Sequence, residues 1–430
     1  MKIHLPGAIV KGKVPLGPVI LALRALFHRL KAVNYKKGFG MARVALRGNI
    51  ILPDEILKGG IIVLDGEKIA VVHPAGSAFS SEEGMLFDYA ARYISPGLID
   101  IHLHGALGKD VMDGRTQSLE AIAAHQVRCG VTGFVPTTLA APVPWILAAI
   151  ESVKSGQKLR PPSEILGVHL EGPFLNIKKR GAQNPAFIND ANASRIDSLF
   201  KAARGLKIIL TLAPEAGKNA SFIASLKKKG AVISIGHTEA TYEEAIQSFE
   251  QGITHATHLF NAMSGFQPRE PGAVGAVLDS DKVTAELIAD GIHVHPASLR
   301  MAIRQKGADK ICLVTDSMNA AGLGDGDFNV GGLDVVVKDG QARLKESGAL
   351  AGSVLTLNRA LRNVLLWTGL SISQAIRMVS LTPARVLGFD HEVGSIQPGK
   401  YANLAIFDKD FNVIDTIMRG RSILRGKFGV

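Results

Sequence analysis

The sequence predicts an α/β protein in which a (β/α)8 barrel carries a small β-sandwich domain built from both flanks of the chain. Three observations lead there. Eight short apolar runs fall between Tyr93 and Asp316, most of them separated by segments with helical spacing, and eight parallel strands alternating with helices close a barrel. Strand-like alternation with Gly-containing turns occurs on both sides of that region, before Tyr93 and after Gly394. The 430 residues, 47% hydrophobic and 20% charged, are enough for one large core plus an accessory unit.

Residues 1–40 hold Lys2, Lys11, Lys13, Arg24, Arg29, Lys31, Lys36 and Lys37 with no Asp or Glu, so they carry +8 of the formal net charge of +11. The body is close to balanced, and no nucleic-acid partner is expected for it. Within the extension, Val19–Val33 places Leu21, Leu23, Leu26, Phe27 and Leu30 beside Arg24, Arg29 and Lys31, which suits a short basic amphipathic helix. Three readings of the extension stand: a dispensable segment ahead of a start at Met41, a targeting peptide, or a peripheral membrane- or partner-binding arm. Pro6, Pro15, Pro18 and the lack of serine weigh against the second. No apolar run reaches the ~18 residues of a transmembrane helix, so stable membrane insertion is not expected. Two separated cysteines, Cys129 and Cys312, indicate neither a disulfide framework nor a thiolate zinc site. A reducing, cytoplasmic compartment fits them.

The flanking β domain is assigned to 41–92 plus 390–430, with strands expected over Val44–Leu52, Ile61–Leu64 and Ile69–Val72, the last two joined at Asp65-Gly66. The barrel is assigned to 93–389. Its strands are expected over Tyr93–His102, Gly130–Thr138, Ile165–Glu171, Leu206–Leu212, Ala231–His237, Ile253–His258, Thr284–Asp290 and Lys310–Asp316. Intervening spacing such as Tyr242, Ala245, Ile246 and Phe249 is helical. A ribbon over Phe328–Leu344 with a turn at Asp339-Gly340, a helix over about Ser353–Trp367 and two more helical stretches lead to the closing strands Asn403–Asp408 and Val413–Leu424.

Polar residues fall at strand ends, where barrel enzymes place their sites. His102 and His104 close the first run, and residues two apart on a strand face the same way. Glu171 closes the third run, His237 the fifth, His258 the sixth and Asp316 the eighth. The four histidines and Glu171 make a nitrogen and oxygen ligand set suited to Zn2+, Fe2+, Co2+ or Mn2+, one or two ions per chain. A carboxylate such as Glu171 can bridge two ions ~3.5–4 Å apart, and Asp316 is placed to move a proton between water and a leaving nitrogen. Singly, a His-x-His pair is more often structural and a strand-end acid more often a helix cap; the convergence of six such residues on five strands decides for a site. His255 is expected to pack away from it, and His4, His28, His73, His125, His295 and His391 to be solvated or core residues.

Residues Pro96-Gly97-Leu98-Ile99-Asp100-Ile101-His102-Leu103-His104-Gly105 resemble the opening strand of the amidohydrolase superfamily. His169-Leu170-Glu171-Gly172-Pro173-Phe174, Gly236-His237-Thr238, Thr257-His258-Leu259-Phe260-Asn261-Ala262-Met263, Arg269-Glu270-Pro271-Gly272, Asp290-Gly291-Ile292-His293 and Leu313-Val314-Thr315-Asp316 together resemble its N-acetylglucosamine-6-phosphate deacetylases. The likeness spans about 44–427. It implies a main metal on Glu171, His237 and His258, a second on His102 and His104 beside Glu171, and Asp316 as catalytic acid and base. It further implies an amino-sugar phosphate substrate held by Ala182, Gln183, Asn261, Ala262, Arg269, His293 and Ala351-Gly352-Ser353, with Arg269 reaching across a homodimer. Many of these deacetylases carry histidine where this chain has Gln183; an amide cannot bring charge to the acetyl carbonyl, and a second ion would compensate. N-acetylgalactosamine-6-phosphate deacetylation, or hydrolysis of another cyclic amide or imine, is the alternative.

Overall fold

Each run predicted as a barrel strand contributes one, and their burial follows from helices covering the outside while side chains fill the inside. The computed structural model describes residues 43–77, 79 and 84–426. The basic extension, with the helix expected over Val19–Val33, lies outside the described residues. The barrel strands are Leu98–Leu103, Val131–Thr138, Val168–Glu171, Ile208–Leu212, Val232–Ile235, His255–Ala256, Thr284–Ile288 and Ile311–Val314. They neighbour one another in that order, all parallel. The seam between first and eighth closes at the catalytic end: Leu103 bridges Ser317, and Asp316 N donates to His102 O at 2.9 Å.

All eight strands are shorter than the runs expected from the sequence: Tyr93–Pro96 of the first run belongs to the flanking sheet instead, and the fifth strand stops at Ile235, ahead of His237. The sixth stops at Ala256 and the eighth at Val314, because the chain leaves the ladder through left-handed residues at His258 (φ 30°) and Asp316 (φ 47°). The helices begin with local devices. Tyr242–Gln251 starts with Thr241 and Glu244 in a reciprocal capping box and buries Ala245, Ser248 and Phe249. Under the catalytic end the barrel interior is partly polar, with hydroxyls running from Ser234 to Thr257 at 2.6 Å, Thr257 to Thr211 at 2.7 Å and Thr211 to His169 Nε2 at 2.7 Å.

Both flanks meet in one sheet, ordered Arg421–Ser422, Val413–Met418, Leu404–Phe407, Met85–Pro96, Val44–Ile51, Ile56–Asp65, Lys68–His73. Met85–Pro96 joins the two halves, pairing antiparallel with the C-terminal side, where Ile94 faces Ile406, and parallel with Val44–Ile51. Leu46, Ile50, Ile62, Tyr89, Ile94, Leu404, Ile406 and Ile417 share one core, and the strands are hydrogen-bonded as a continuous seven-stranded ladder. The predicted ribbon is three-stranded: Gly326–Val330, Leu333–Lys338 and Gln341–Leu344. Asp339 and Gly340 both have positive φ, as a two-residue hairpin turn requires. The apolar face of this ribbon (Phe328, Val330, Val335, Val337) packs on Leu139, Met318 and Ala351 at the rim of the site.

Gly97 marks the passage from the β domain into the barrel. Its N–H donates to Asn403 O at 2.8 Å, and a Cβ there would stand 2.1 Å from Thr132 Oγ1. Gly97→Ala is expected to lower stability by about 1–3 kcal/mol through overpacking, measured as a fall in the thermal unfolding midpoint. An unchanged midpoint would mean that Thr132 turns aside without cost.

Candidate active site

The six residues singled out at strand ends are delivered by two kinds of backbone. His102 and Glu171 lie on strands, and strand alternation puts His104 on the same side as His102. His237, His258 and Asp316 stand just past their strands at φ 48°, 30° and 47°. Such conformations are unfavourable for non-glycine residues and gather where a site dictates the backbone.

The geometry fixes which ring nitrogen faces inward. His104 Nδ1 lies 3.2 Å from Thr137 O, His237 Nδ1 2.8 Å from Lys179 O, and His258 Nδ1 3.2 Å from Asn261 O. Carbonyls only accept, so each Nδ1 carries a proton and each Nε2 is the nitrogen left to face a metal ion. His102 Nδ1 is 2.8 Å from Glu286 Oε2, with the same result. The four Nε2 atoms converge on Glu171: His237 and His258 at 3.1 and 3.0 Å from Oε1, His102 at 3.5 Å from Oε1, and His104 at 3.3 Å from Oε2. Asp316 Oδ1 is 3.1 Å from His104 Nε2 and 3.4 Å from His102 Nε2.

These donors fit a divalent cation. The Nε2 atoms of His237 and His258 are 3.1 Å apart, so two facing lone pairs there need a proton or a metal ion to share. Glu171 belongs to both ligand groups, with His102 and His104 on one side and His237 and His258 on the other. His102, His169 and Glu286 are also close, but His169 Nε2 is taken by Thr211 at 2.7 Å, so hydrogen bonding accounts for that group. Electrostatics point the same way. Burial lowers His102, yet Glu286, Asp316 and Glu171 push it up to about 9, and burial likewise opposes the Asp316 and Glu171 carboxylates that lift His104 well above its ordinary value. Burial raises the Glu171 carboxyl, but His102, His104, His237 and His258 hold it well below the usual range. Asp316 is raised by burial and brought below its ordinary value by His102 and His104, so it is ionised at neutral pH. A cluster that prefers positive charge in this way prefers a metal ion by the same field.

Above the ligands lies a cavity of about 330 Å³ lined by His104, Glu171, His237, His258 and Asp316, and also by Ala182, Gln183, Asn261, Ala262, His293, Ala351 and Gly352. Three expected residues are placed elsewhere. His102 is fully buried beneath the cavity. Ser353 is buried, its hydroxyl donating to Thr315 O and its N–H to Asp316 O, so it shapes the loop rather than lining the space. Arg269 is exposed on a loop outside this chain's cavity. Gln183 is engaged at both ends: its Oε1 accepts Ala140 N–H at 2.7 Å, and its Nε2 donates to Glu171 Oε2 at 2.6 Å.

Sequence reasoning missed several participants. Lys178 and Lys179 line the cavity and pair with Glu239. Asp290 accepts both the backbone N–H and Nδ1–H of His293, the latter at 2.7 Å, which aims that ring. His255 does not pack away. The strand ends at Ala256, so alternation does not carry on to His258, and the His255 ring lies under the site, 3.2 Å from Glu286 Oε1. Glu286 itself had a signal, being a lone carboxylate inside the apolar run Thr284–Ile288.

Comparison with known proteins agrees in family and in fold. The model of the amidohydrolase family matches residues 93–423. An N-acetylglucosamine-6-phosphate deacetylase of Bacillus subtilis is 36% identical over 377 residues, covering 86% of this chain and 94% of the relative. An N-acetylgalactosamine-6-phosphate deacetylase of Escherichia coli is 36% identical over 332 residues, covering 77% of this chain and 88% of the relative. The crystal structure of N-acetylglucosamine-6-phosphate deacetylase from Pasteurella multocida superposes with a TM-score of 0.83 at 33% identity, covering 88% of this chain and 98% of that one.

Proposed function

The chain belongs to the amidohydrolase family, and from that membership we propose that it hydrolyses the acetamido group of N-acetylglucosamine 6-phosphate to glucosamine 6-phosphate and acetate. The observation that carries the reading is the convergence of four imidazole Nε2 atoms, Glu171 and Asp316 at the floor of one cavity. His102, His104, Glu171, His237 and His258 would hold one or two divalent ions, Zn2+ or Fe2+ foremost. A bound ion supplies Lewis acidity toward the amide carbonyl and acidifies a water molecule.

The chain's own groups do the rest. Asp316, ionised and lining the cavity, accepts the proton of the attacking water and returns it to the departing amine nitrogen. His293, whose Nδ1–H is held by Asp290, presents Nε2 as an acceptor for a sugar hydroxyl, and Asn261 donates to the sugar or its phosphate, while Ala182, Ala262 and the Ala351-Gly352-Ser353 segment shape its bed. Arg269, exposed and outside its own cavity, would serve the cavity of a second copy in a homodimer, its planar fork matching phosphate. Gln183 gives its N–H to Glu171 rather than to the cavity, so it does not polarise the acetyl oxygen, and ions held by His102, His104, Glu171, His237 and His258 would supply that polarisation. If metal titration gives full activity at one ion per chain, that last reading fails. The product would enter amino-sugar catabolism or cell-wall sugar recycling in the cytoplasm.

The Escherichia coli relative acts on the galacto epimer at the same identity, so both epimers belong in the test. Acetate release would be measured from N-acetylglucosamine 6-phosphate, N-acetylgalactosamine 6-phosphate and unphosphorylated N-acetylglucosamine, with metal content assayed. Preferred turnover of the first, lost on chelation and restored by Zn2+ or Fe2+, is expected. Preference for the second would reassign the epimer. No turnover of any of them by metal-loaded protein would move the reading to another amide.

A further inference from the structure

Below the cavity lies a carboxylate that no substrate can reach. Glu286 is fully buried in the middle of the seventh barrel strand, Thr284–Ile288. Its Oε2 accepts His102 Nδ1–H at 2.8 Å and the His258 backbone N–H at 3.0 Å, and its Oε1 is 3.2 Å from His255 Nε2. His255 is held from behind by Thr284 Oγ1 at 2.6 Å from Nδ1. A lone buried carboxylate in a barrel strand is costly, so its place there needs a cationic or strongly polarised partner.

The four histidines at the site are not supported alike. His104, His237 and His258 each give Nδ1–H to a neutral backbone carbonyl. His102 gives its own to a carboxylate. A carboxylate behind an imidazole locks the tautomer and makes the opposite nitrogen a better electron donor than a carbonyl does. The asymmetry therefore falls on one of the two ligand groups that share Glu171, the one made with His102 and His104.

We propose that Glu286 is a positioning residue that builds the His102 and His104 half of a two-ion centre by holding the proton on His102 Nδ1 and directing its charge through the ring. This rests on the two-ion reading of the site. The charge, rather than the shape, does the work. Glu286→Gln keeps a carbonyl oxygen able to accept from both His102 and the His258 N–H, so the group made by Glu171, His237 and His258 keeps its support.

The test is a Zn2+ titration of apo-protein against a competing chelator, for the parent chain and for Glu286→Gln, with thermal unfolding recorded alongside. The parent is expected to bind two ions. The variant is expected to hold one as before and to bind the other roughly 10- to 100-fold more weakly, with its unfolding midpoint close to the parent's. Two ions bound by the variant with parental affinities would overturn the proposal alone. Equal weakening of both, with a lowered midpoint, would make Glu286 a fold residue and also overturn it. A parent that binds a single ion would remove the two-ion reading and the proposal with it. If the variant does not fold, nitrogen-15 NMR of the Zn2+-loaded parent decides, with the His102 signal assigned by its loss in His102→Gln. A proton on His102 Nδ1 is expected, and a proton on Nε2 refutes the role.

Discussion

Asp316→Asn is expected to lower kcat for acetate release by roughly 10²- to 10⁴-fold, the range of a lost general acid and base, with metal content unchanged. The side chain is the same size, and the backbone that holds it is independent of its charge: Asp316 N donates to His102 O, and Ser353 N donates to Asp316 O. What changes is proton capacity. The carboxylate is ionised at neutral pH because His102 and His104 outweigh its burial, so it can take a proton from water, whereas an amide cannot. Its separations of 3.1 and 3.4 Å from His104 and His102 Nε2 raise a rival account in which Asp316 is mainly a metal ligand. The two part on one readout. Loss of turnover with full metal content supports the proton role, while parallel loss of metal and turnover supports the ligand role. Retained turnover sinks both.

How much of this was legible depends on the range over which each feature is encoded. The barrel strands are local patterns, and so were the ribbon and its Asp339-Gly340 turn, whose two positive φ angles that dipeptide tolerates. Strand ends were less legible. His237, His258 and Asp316 look in sequence like continuations of apolar runs, but they stand off the ladder in left-handed conformations that only contacts distant in the chain can hold. The joining of the flanks through Met85–Pro96 is likewise a long-range pairing with no local signature. Within the site, ligand-type residues at strand ends were readable because their position violates the apolar pattern. Glu286 violates it as well, but in mid-strand, where a single polar residue passes for alternation. Asp290 and Gln183 escaped in another way. From the sequence Gln183 is expected to hold substrate and Asp290 is given no role, and only the folded arrangement reveals that Asp290 aims His293 and that Gln183 grips Glu171.

Glu171→Gln should have the opposite signature to Asp316→Asn: loss of metal together with loss of turnover. Glu171 faces every imidazole at the site, His237, His258 and His102 through Oε1 and His104 through Oε2. It is 2% exposed, so no solvent replaces its charge. An amide in its place must turn its NH2 toward some of these groups. Turned toward Oε1's place, it would donate to Nε2 lone pairs that a metal needs; turned toward Oε2's place, it would confront the Gln183 NH2, which already donates there at 2.6 Å. Either arrangement leaves the imidazoles without their counter-charge, and removing one partner of a buried pair costs about 3–5 kcal/mol. The metal-free variant is therefore expected to unfold at lower temperature than the metal-free parent, and Zn2+ is expected to restore little of the difference. A variant that still binds metal with parental affinity would mean that the histidines alone form the centre, and Glu171 would no longer be the bridge between its two halves.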